Sequence, residues 1–217
     1  MNFTTNYTLL YLYLYTVCLR IVWFTVFTFG QHYSSAWVRK ILHCNGIMRK
    51  GYDSLNVFVN SSKVKREFDL NSFTTKAEVL KALDDVEHVE AGDANTYLAI
   101  DELVLNGFSE ANGARKGHSR IAILLTDTQS KAPNETVLAA ARARDTDITM
   151  ITVGIGNNLN LDELAEIASE PICQHLVLLN NFTEIDNLKD LIRYRIHKGM
   201  CFSFSYHCNP DRLLIRA

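Results

Sequence analysis

A short, unbroken apolar run that ends in an acid constrains the fold of this chain more than any other feature. The run covers residues 121–125, and Thr126, Asp127 and a polar loop up to Ser130 follow it. Five apolar residues without polar alternation are typical of a strand buried on both faces, as in a parallel sheet covered by helices. In open α/β sheets, ligands bind outside the carboxyl ends of the strands. Asp127 is therefore predicted to lie at the functional edge of an α/β domain.

The patterns that follow this run alternate between strand and helix. Residues 148–153 and 175–179 are apolar runs and are predicted to be further strands. Helices are predicted to begin at Pro133, after a capping Asn160 and after a capping Thr183. This alternation favours a parallel sheet wrapped by helices and joined by right-handed crossovers.

The patterns before the run are of two kinds. Residues 55–70 alternate in polarity about a turn at 60–63 and are predicted to form a β-hairpin. Thr75 and Glu78 have the spacing of a capping box, which predicts a helix beginning there. A second helix is predicted over residues 98–108, and a loop follows it.

Composition limits the function of the chain. With 217 residues, 47% hydrophobic and 21% charged, it is expected to form one globular domain with an appendage. A net charge of −2 without an Arg/Lys stripe gives no basis for nucleic-acid binding. There is no G-x-S-x-G motif and no catalytic triad pattern, and Gly154-x-Gly156 lacks the third glycine of a dinucleotide site. We therefore expect no enzyme activity.

Five cysteines are too few for a disulfide scaffold. Cys173 precedes the last predicted strand and Cys201 follows the last predicted helix, and a strand and the helix after it can bring such ends together. We predict a disulfide between these two residues.

The N-terminal apolar segment, residues 7–29, has three interpretations. It is long enough to span a bilayer, which needs roughly 20 residues. It could also be signal-like, or residues 21–29 could form a buried strand, because they are rich in β-branched and aromatic residues. Glycosylation sequons favour the secretory route, whereas basic residues after the segment would leave the rest of a spanning protein in the cytoplasm. The sequons begin at Asn2, Asn6, Asn60, Asn134 and Asn181.

Five segments occur in an order that resembles a known family. They are residues 64–70, 108–115, 123–130, 151–156 and 175–182. From about residue 51 to residue 201 the chain resembles a von Willebrand factor type A domain, of the kind found in collagens, matrilins and similar matrix proteins. The resemblance implies a doubly wound, mostly parallel sheet flanked by helices, with one antiparallel edge strand.

The resemblance also implies a protein-binding site at the top of the sheet. Family members often bind partners through a divalent cation held by a D-x-S-x-S segment after the first strand, a Thr in a loop, and an Asp after the fourth strand. Asp127 matches that Asp, but Ala94 falls at the Thr position and Thr96 matches the following Thr. The D-x-S-x-S segment is absent, and residues 21–29 offer no carboxylate. Because Mg²⁺ takes about six oxygens, we expect no cofactor and at most weak Mg²⁺ binding, with Asp127 the remnant of a metal site.

The first strand of the family is also expected to be missing. Either residues 21–29 replace it or the domain is incomplete, and we interpret residues 1–50 as an atypical segment foreign to the family, signal-like, membrane-spanning or mis-joined. The type A domain is then predicted over 51–201, with a C-terminal tail over 202–217.

The sequence therefore predicts an extracellular adhesion module that binds matrix or other proteins, secreted or anchored through residues 7–29. The alternative is a membrane-tethered or intracellular scaffold domain in a protein complex. The binding residues are predicted to be Asp93, Asn95, Thr96, Asp127, Thr128 and Ser130, together with the loop at 156–160.

Overall fold

A six-stranded sheet forms the centre of the structure, a computed structural model that describes residues 21–28, 55–60, 64–86, 94–181 and 184. The order of the strands across the sheet is β3-β2-β1-β4-β5-β6. All neighbouring pairs are parallel except β2 and β3. The strands are β1 Ile21–Thr28, β2 Leu55–Asn60, β3 Val64–Phe68, β4 Ser119–Thr126, β5 Ile148–Ile155 and β6 Leu176–Leu179. The predicted doubly wound, mostly parallel sheet is confirmed.

Strand β1 joins the two halves of the sheet. Ile21 of β1 lies opposite Ser119 of β4, and Trp23 lies opposite Leu55 of β2. The strand that we expected to be missing is thus present, and residues 21–28 supply it. A central strand is required here because the facing edges of β2 and β4 would otherwise leave rows of backbone N–H and C=O groups unpaired. The sheet therefore extends upstream of the predicted domain start at residue 51.

The hairpin of β2 and β3 is confirmed at one edge of the sheet. The two strands are antiparallel, and their register is irregular between Val57 and Phe58. Phe68, at the end of β3, is buried and makes an edge-to-face contact with Phe73, with ring centroids 5.2 Å apart. This aromatic pair anchors the chain as it leaves the sheet.

Five α-helices lie within the described residues: α1 Lys76–Asp84, α2 Thr96–Glu102, α3 Pro133–Asp145, α4 Leu161–Ile167 and α5 Ile172–His175. Helix α1 begins with the predicted capping box, in which the Thr75 hydroxyl accepts from the backbone N–H of Glu78 at 3.3 Å. In return, the Glu78 carboxylate accepts from the backbone N–H of Thr75 at 3.0 Å. Asn160 caps α4 as predicted.

Two predicted elements differ in their ends. The helix predicted over 98–108 begins earlier, at Thr96, and continues as a π-helical turn over Leu103–Gly107. The strand predicted over 175–179 begins at Leu176, because the four residues before it form helix α5. The predicted helix after Thr183 lies outside the described residues.

The core lies on both faces of β4 and β5, whose side chains are almost entirely buried. On one face, Ile100 of α2, Leu103 of the π-helical turn and Ala140 of α3 pack against Leu124 and Met150. On the other face, α4 packs against β6. The unbroken apolar runs are therefore explained by helices that cover both faces of the sheet.

The predicted membrane span is partly a strand. Residues 21–28 form β1, and residues 7–20 and 29 lie outside the described part of the chain. Among the helices that the structure describes, none has the length and apolar character needed to cross a membrane.

Candidate binding face

Three loops meet at the edge of the sheet where the parallel strands end, and we call them the binding face: residues 94–95, 127–132 and 156–160. The backbone N–H of Lys131 donates to the carbonyl of Ala94 at 2.9 Å, which joins the first two loops. The Asn158 amide donates to the Thr128 hydroxyl at 3.5 Å, which brings the third loop against the second. The binding face is thus one connected surface, at the place where open α/β sheets carry their ligand sites.

A tight turn after β4 presents Asp127. The hydroxyl of Thr126 donates to the carbonyl of Thr128 at 2.7 Å and accepts from the backbone N–H of Thr128 at 3.3 Å. These two bonds close a loop around Asp127, which is itself half-buried. The acid that the sequence singled out is therefore held at the corner of a braced turn.

Ser130 holds the loops together from beneath. It is 6% exposed, and its hydroxyl donates to the Ala94 carbonyl at 3.2 Å. The same oxygen lies 2.8 Å from the Thr136 hydroxyl of α3 and accepts from the backbone N–H of Ala132 at 3.3 Å. The Ser130 hydroxyl is thus engaged within the protein.

The structure brings five of the six predicted binding residues to this face. Asn95, Asp127 and Thr128 are half-buried, so part of each residue is exposed to solvent. Thr96 follows the 94–95 loop as the first residue of α2 and is 4% exposed. The sixth predicted residue, Asp93, lies outside the described residues.

Glu163 belongs to the face, although the sequence analysis did not select it. It lies in the first turn of α4 and is 5% exposed. Its Oε2 atom accepts from the backbone N–H of Ser130 at 3.2 Å, whereas its Oε1 atom has no hydrogen-bond partner. Burial raises the pKa of this carboxyl, and the bond from Ser130 partly opposes that rise. The available sequence signal was an acid three residues after the helix cap Asn160, where a side chain can reach back toward the preceding loops.

The residues on this face do not fit a divalent cation site of the family type. Ala94, at the position where the resemblance expects a Thr ligand, is 7% exposed and offers a methyl group instead of an oxygen. Among the residues that the structure describes, no group of three or more His, Cys, Asp or Glu side chains could hold a metal ion. Asp127 is the only carboxylate on the three loops themselves, whereas Mg²⁺ prefers about six oxygen ligands.

Cys173, in helix α5, is disulfide-bonded. The predicted partner, Cys201, lies outside the described residues, so the pairing of these two cysteines stays a prediction.

Comparison with protein families gives a match over most of the chain. The von Willebrand factor type A domain model matches residues 25–191. Matrilin-1 of Gallus gallus is 37% identical over 136 residues, which are 63% of this chain and 27% of matrilin-1. Matrilin-2 of Mus musculus is 35% identical over 152 residues, 68% of this chain and 15% of that protein. The transmembrane cell adhesion receptor mua-3 of Caenorhabditis elegans is 31% identical over 147 residues, 65% of this chain and 4% of the receptor.

This chain therefore spans about a quarter of the length of matrilin-1 and less of the other two relatives.

Solved structures share its fold. Proximal thread matrix protein 1 from the mussel byssus superposes with a TM-score of 0.70 at 24% identity, covering 80% of this chain and 47% of that one. A structure of the same protein with a zinc-occupied MIDAS motif has a TM-score of 0.69 at 23% identity and the same coverage. Manganese-loaded TRAP protein of Plasmodium vivax has a TM-score of 0.67 at 15% identity, covering 82% and 74%.

Proposed function

Because this chain belongs to the von Willebrand factor type A domain family, we propose that it is an extracellular protein-binding module of a matrix or cell-adhesion protein. The matrilin relatives and the adhesion receptor mua-3 support this class of function. The observation that carries the proposal is the connected binding face, on which Asp127 occupies the corner of a turn closed by Thr126 and Thr128. Binding groups tend to lie on loops that a rigid scaffold positions, and this face has that construction.

The proposed module has no catalytic role. The face combines half-buried Asn95, Asp127 and Thr128 with a buried serine whose hydroxyl is occupied by structural hydrogen bonds. A nucleophile needs a base within hydrogen-bond reach to activate it. Ser130 instead contacts a carbonyl and a threonine hydroxyl, which supports recognition as the role of this face.

We propose that partner binding does not depend on a tight divalent cation. What supports this is that Ala94, which has no side-chain oxygen, stands where the resemblance expects a Thr ligand. Thermal unfolding with and without about 10 mM MgCl₂ tests this, because a ligand at 100 times its Kd stabilises the folded state by about 2.7 kcal/mol. We expect the same Tm with MgCl₂ and with EDTA. A large rise in Tm with MgCl₂ would contradict the proposal.

The binding function itself is tested with immobilised fibrillar collagen and solubilised matrix proteins in a surface plasmon resonance assay. We expect the unmodified protein to bind at least one of them and the Asp127→Asn and Thr128→Val variants to bind more weakly. Asp145→Asn is the matched control, because Asp145 is exposed at the last residue of α3, away from the face. The proposal fails if no matrix protein binds, or if the Asp127 and control variants bind equally.

We also propose that the domain begins upstream of residue 51, so that it includes β1.

We further propose that the domain lies on the lumenal side of the secretory pathway. Asn134 and Asn181 begin sequons and are both exposed. After expression in a secretory eukaryotic host, a mass decrease on treatment with peptide N-glycosidase F would support this location. Unmodified asparagines at both positions would favour the alternative of an intracellular scaffold domain.

A further inference from the structure

The Glu163 carboxyl is buried with fewer hydrogen bonds than a buried carboxylate normally has. Its carboxyl reaches from the first turn of α4 to the backbone of Ser130, 33 positions earlier in the chain. One oxygen receives a single hydrogen bond and the other receives none. Buried carboxylates normally have several donors or a cationic partner, because an ionised group loses its hydration on burial. An ionised Glu163 therefore lacks the partners that would offset the loss of its hydration.

The bond to Ser130 places this carboxyl at the centre of the loop contacts. Ser130 contacts Ala94, Ala132 and Thr136 through its side chain, while its backbone N–H is held by Glu163. The 127–132 loop is thus bound to α3 through the Ser130 hydroxyl and to α4 through the Ser130 backbone N–H. A change at Glu163 acts on the same loop that carries Asp127.

We propose that Glu163 is a positioning residue for the binding face, and that gain or loss of its proton changes how firmly the 127–132 loop is held. The binding face would then respond to pH. An effect of pH on partner binding rests on the proposed function, whereas the loop movement does not. The movement of the loop can be measured without any partner.

The direction of the response follows from burial. With the loop closed, desolvation raises the pKa of Glu163, and the Ser130 N–H only partly offsets that rise. When the loop opens, the carboxyl is hydrated and its pKa returns toward the ordinary value. The closed loop therefore binds the proton more tightly, so lowering the pH through this window favours the closed loop and raising it favours opening.

Other charged groups lie on the elements around Glu163. Strand β5, which packs against α4, has none. On the loop, on α3 and on α4 itself they are Asp127, Lys131, Glu135, Arg142, Arg144, Asp145, Asp162 and Glu166. The causes that shift the pKa of Glu163 are burial and the Ser130 N–H, without a contribution from these charges.

The test is a pH titration of the ¹⁵N-labelled full chain by NMR, with hydrogen exchange of the loop amides. We expect the Ser130 amide to titrate with a midpoint above the ordinary glutamate pKa. After correction for intrinsic exchange rates, the loop-opening equilibrium should rise up to about tenfold per pH unit across that window and then level off. Glu163→Gln keeps an acceptor for Ser130 and cannot ionise, so both effects should disappear in that variant.

Glu166→Gln is the matched control, since Glu166 is exposed one turn later on the same helix. It should titrate like the unmodified protein. The inference is overturned if the Ser130 midpoint lies at or below the ordinary value, or if the titration survives in Glu163→Gln. Should that variant not fold, the ¹³C titration of the Glu163 carboxyl in the unmodified protein decides the same question. All these measurements omit a partner, so failure here leaves the collagen-binding result unaffected.

Discussion

Removal of the Ser130 hydroxyl should weaken both the fold and the binding face. Ser130→Ala deletes the contacts to Ala94, Thr136 and Ala132. Two of these partners keep another bond: the Ala94 carbonyl still accepts from Lys131, and the Thr136 hydroxyl still donates to the Ala132 carbonyl at 3.0 Å. The Ala132 N–H loses its acceptor and is partly buried, so the cost exceeds that of an exposed hydroxyl.

The magnitude follows from those contacts. Two lost hydrogen bonds whose partners stay satisfied cost about 0.5 kcal/mol each, and an unsatisfied, partly buried N–H costs roughly 1 kcal/mol more. The expected loss in the free energy of unfolding is therefore about 2 kcal/mol. With a urea m-value of about 2 kcal/mol/M, the midpoint should fall by roughly 1 M at an unchanged slope.

Urea denaturation at pH 7 measures this loss, and Ser119→Ala is the control. Ser119 is the exposed first residue of β4, the strand that leads into the Ser130 loop, so its variant should stay within about 0.5 kcal/mol of the unmodified protein. If Ser130→Ala unfolds at the same urea concentration as Ser119→Ala, then the contacts of the Ser130 hydroxyl do not stabilise the fold and the account of the face is wrong.

Two further changes test other parts of the structure. Thr75→Ala should lower stability by about 1 kcal/mol in thermal unfolding, because it removes the helix cap of α1, whereas exposed Thr74→Ala should cost less. Hydrogen bonds lower the pKa of Glu78, and the largest cause is the bond from the backbone N–H of Thr74. The contribution of Glu78 to folding stability should therefore be present at neutral pH and be lost as the pH falls through that lowered pKa. Glu78→Gln should abolish this acid dependence. Gly154→Ala should destabilise by about 1–3 kcal/mol in urea, because the new methyl would lie 2.7 Å from Leu164 Cδ1 and must displace it; a cost near zero would show that the leucine moves freely.

The sequence predicted those features that depend on neighbours along the chain. The run at 121–125, the capping box at Thr75 and the cap at Asn160 are local patterns, and each is found where it was expected. Their physical causes, burial on two faces and satisfaction of backbone N–H groups at helix starts, act within a few residues.

The sequence could not decide features that depend on distant contacts. Residues 21–28 have the composition of a strand and of a membrane span alike, and pairing with β2 and β4 decides between these alternatives for that stretch. Likewise, Ser130 was predicted to face a partner, yet Ala94 and Thr136 surround its hydroxyl. The sequence did not indicate Glu163 as a site residue, because acids are usually exposed. Its burial depends on contact with the distant 127–132 loop, to which it is joined through Ser130.

The central place of β1 has a consequence for the time course of synthesis. Its partner β4 begins about 100 residues further along the chain, so at roughly 5–20 residues per second the ribosome needs on the order of 5–20 s to deliver it. Until then β1 can pair only with β2 of the β2–β3 hairpin, and its other edge has no strand to pair with. For those seconds an eight-residue apolar segment, IVWFTVFT, remains without its final neighbour. An unpaired strand edge of this kind is open to association with other chains, so this segment is where the nascent protein needs protection until β4 is made.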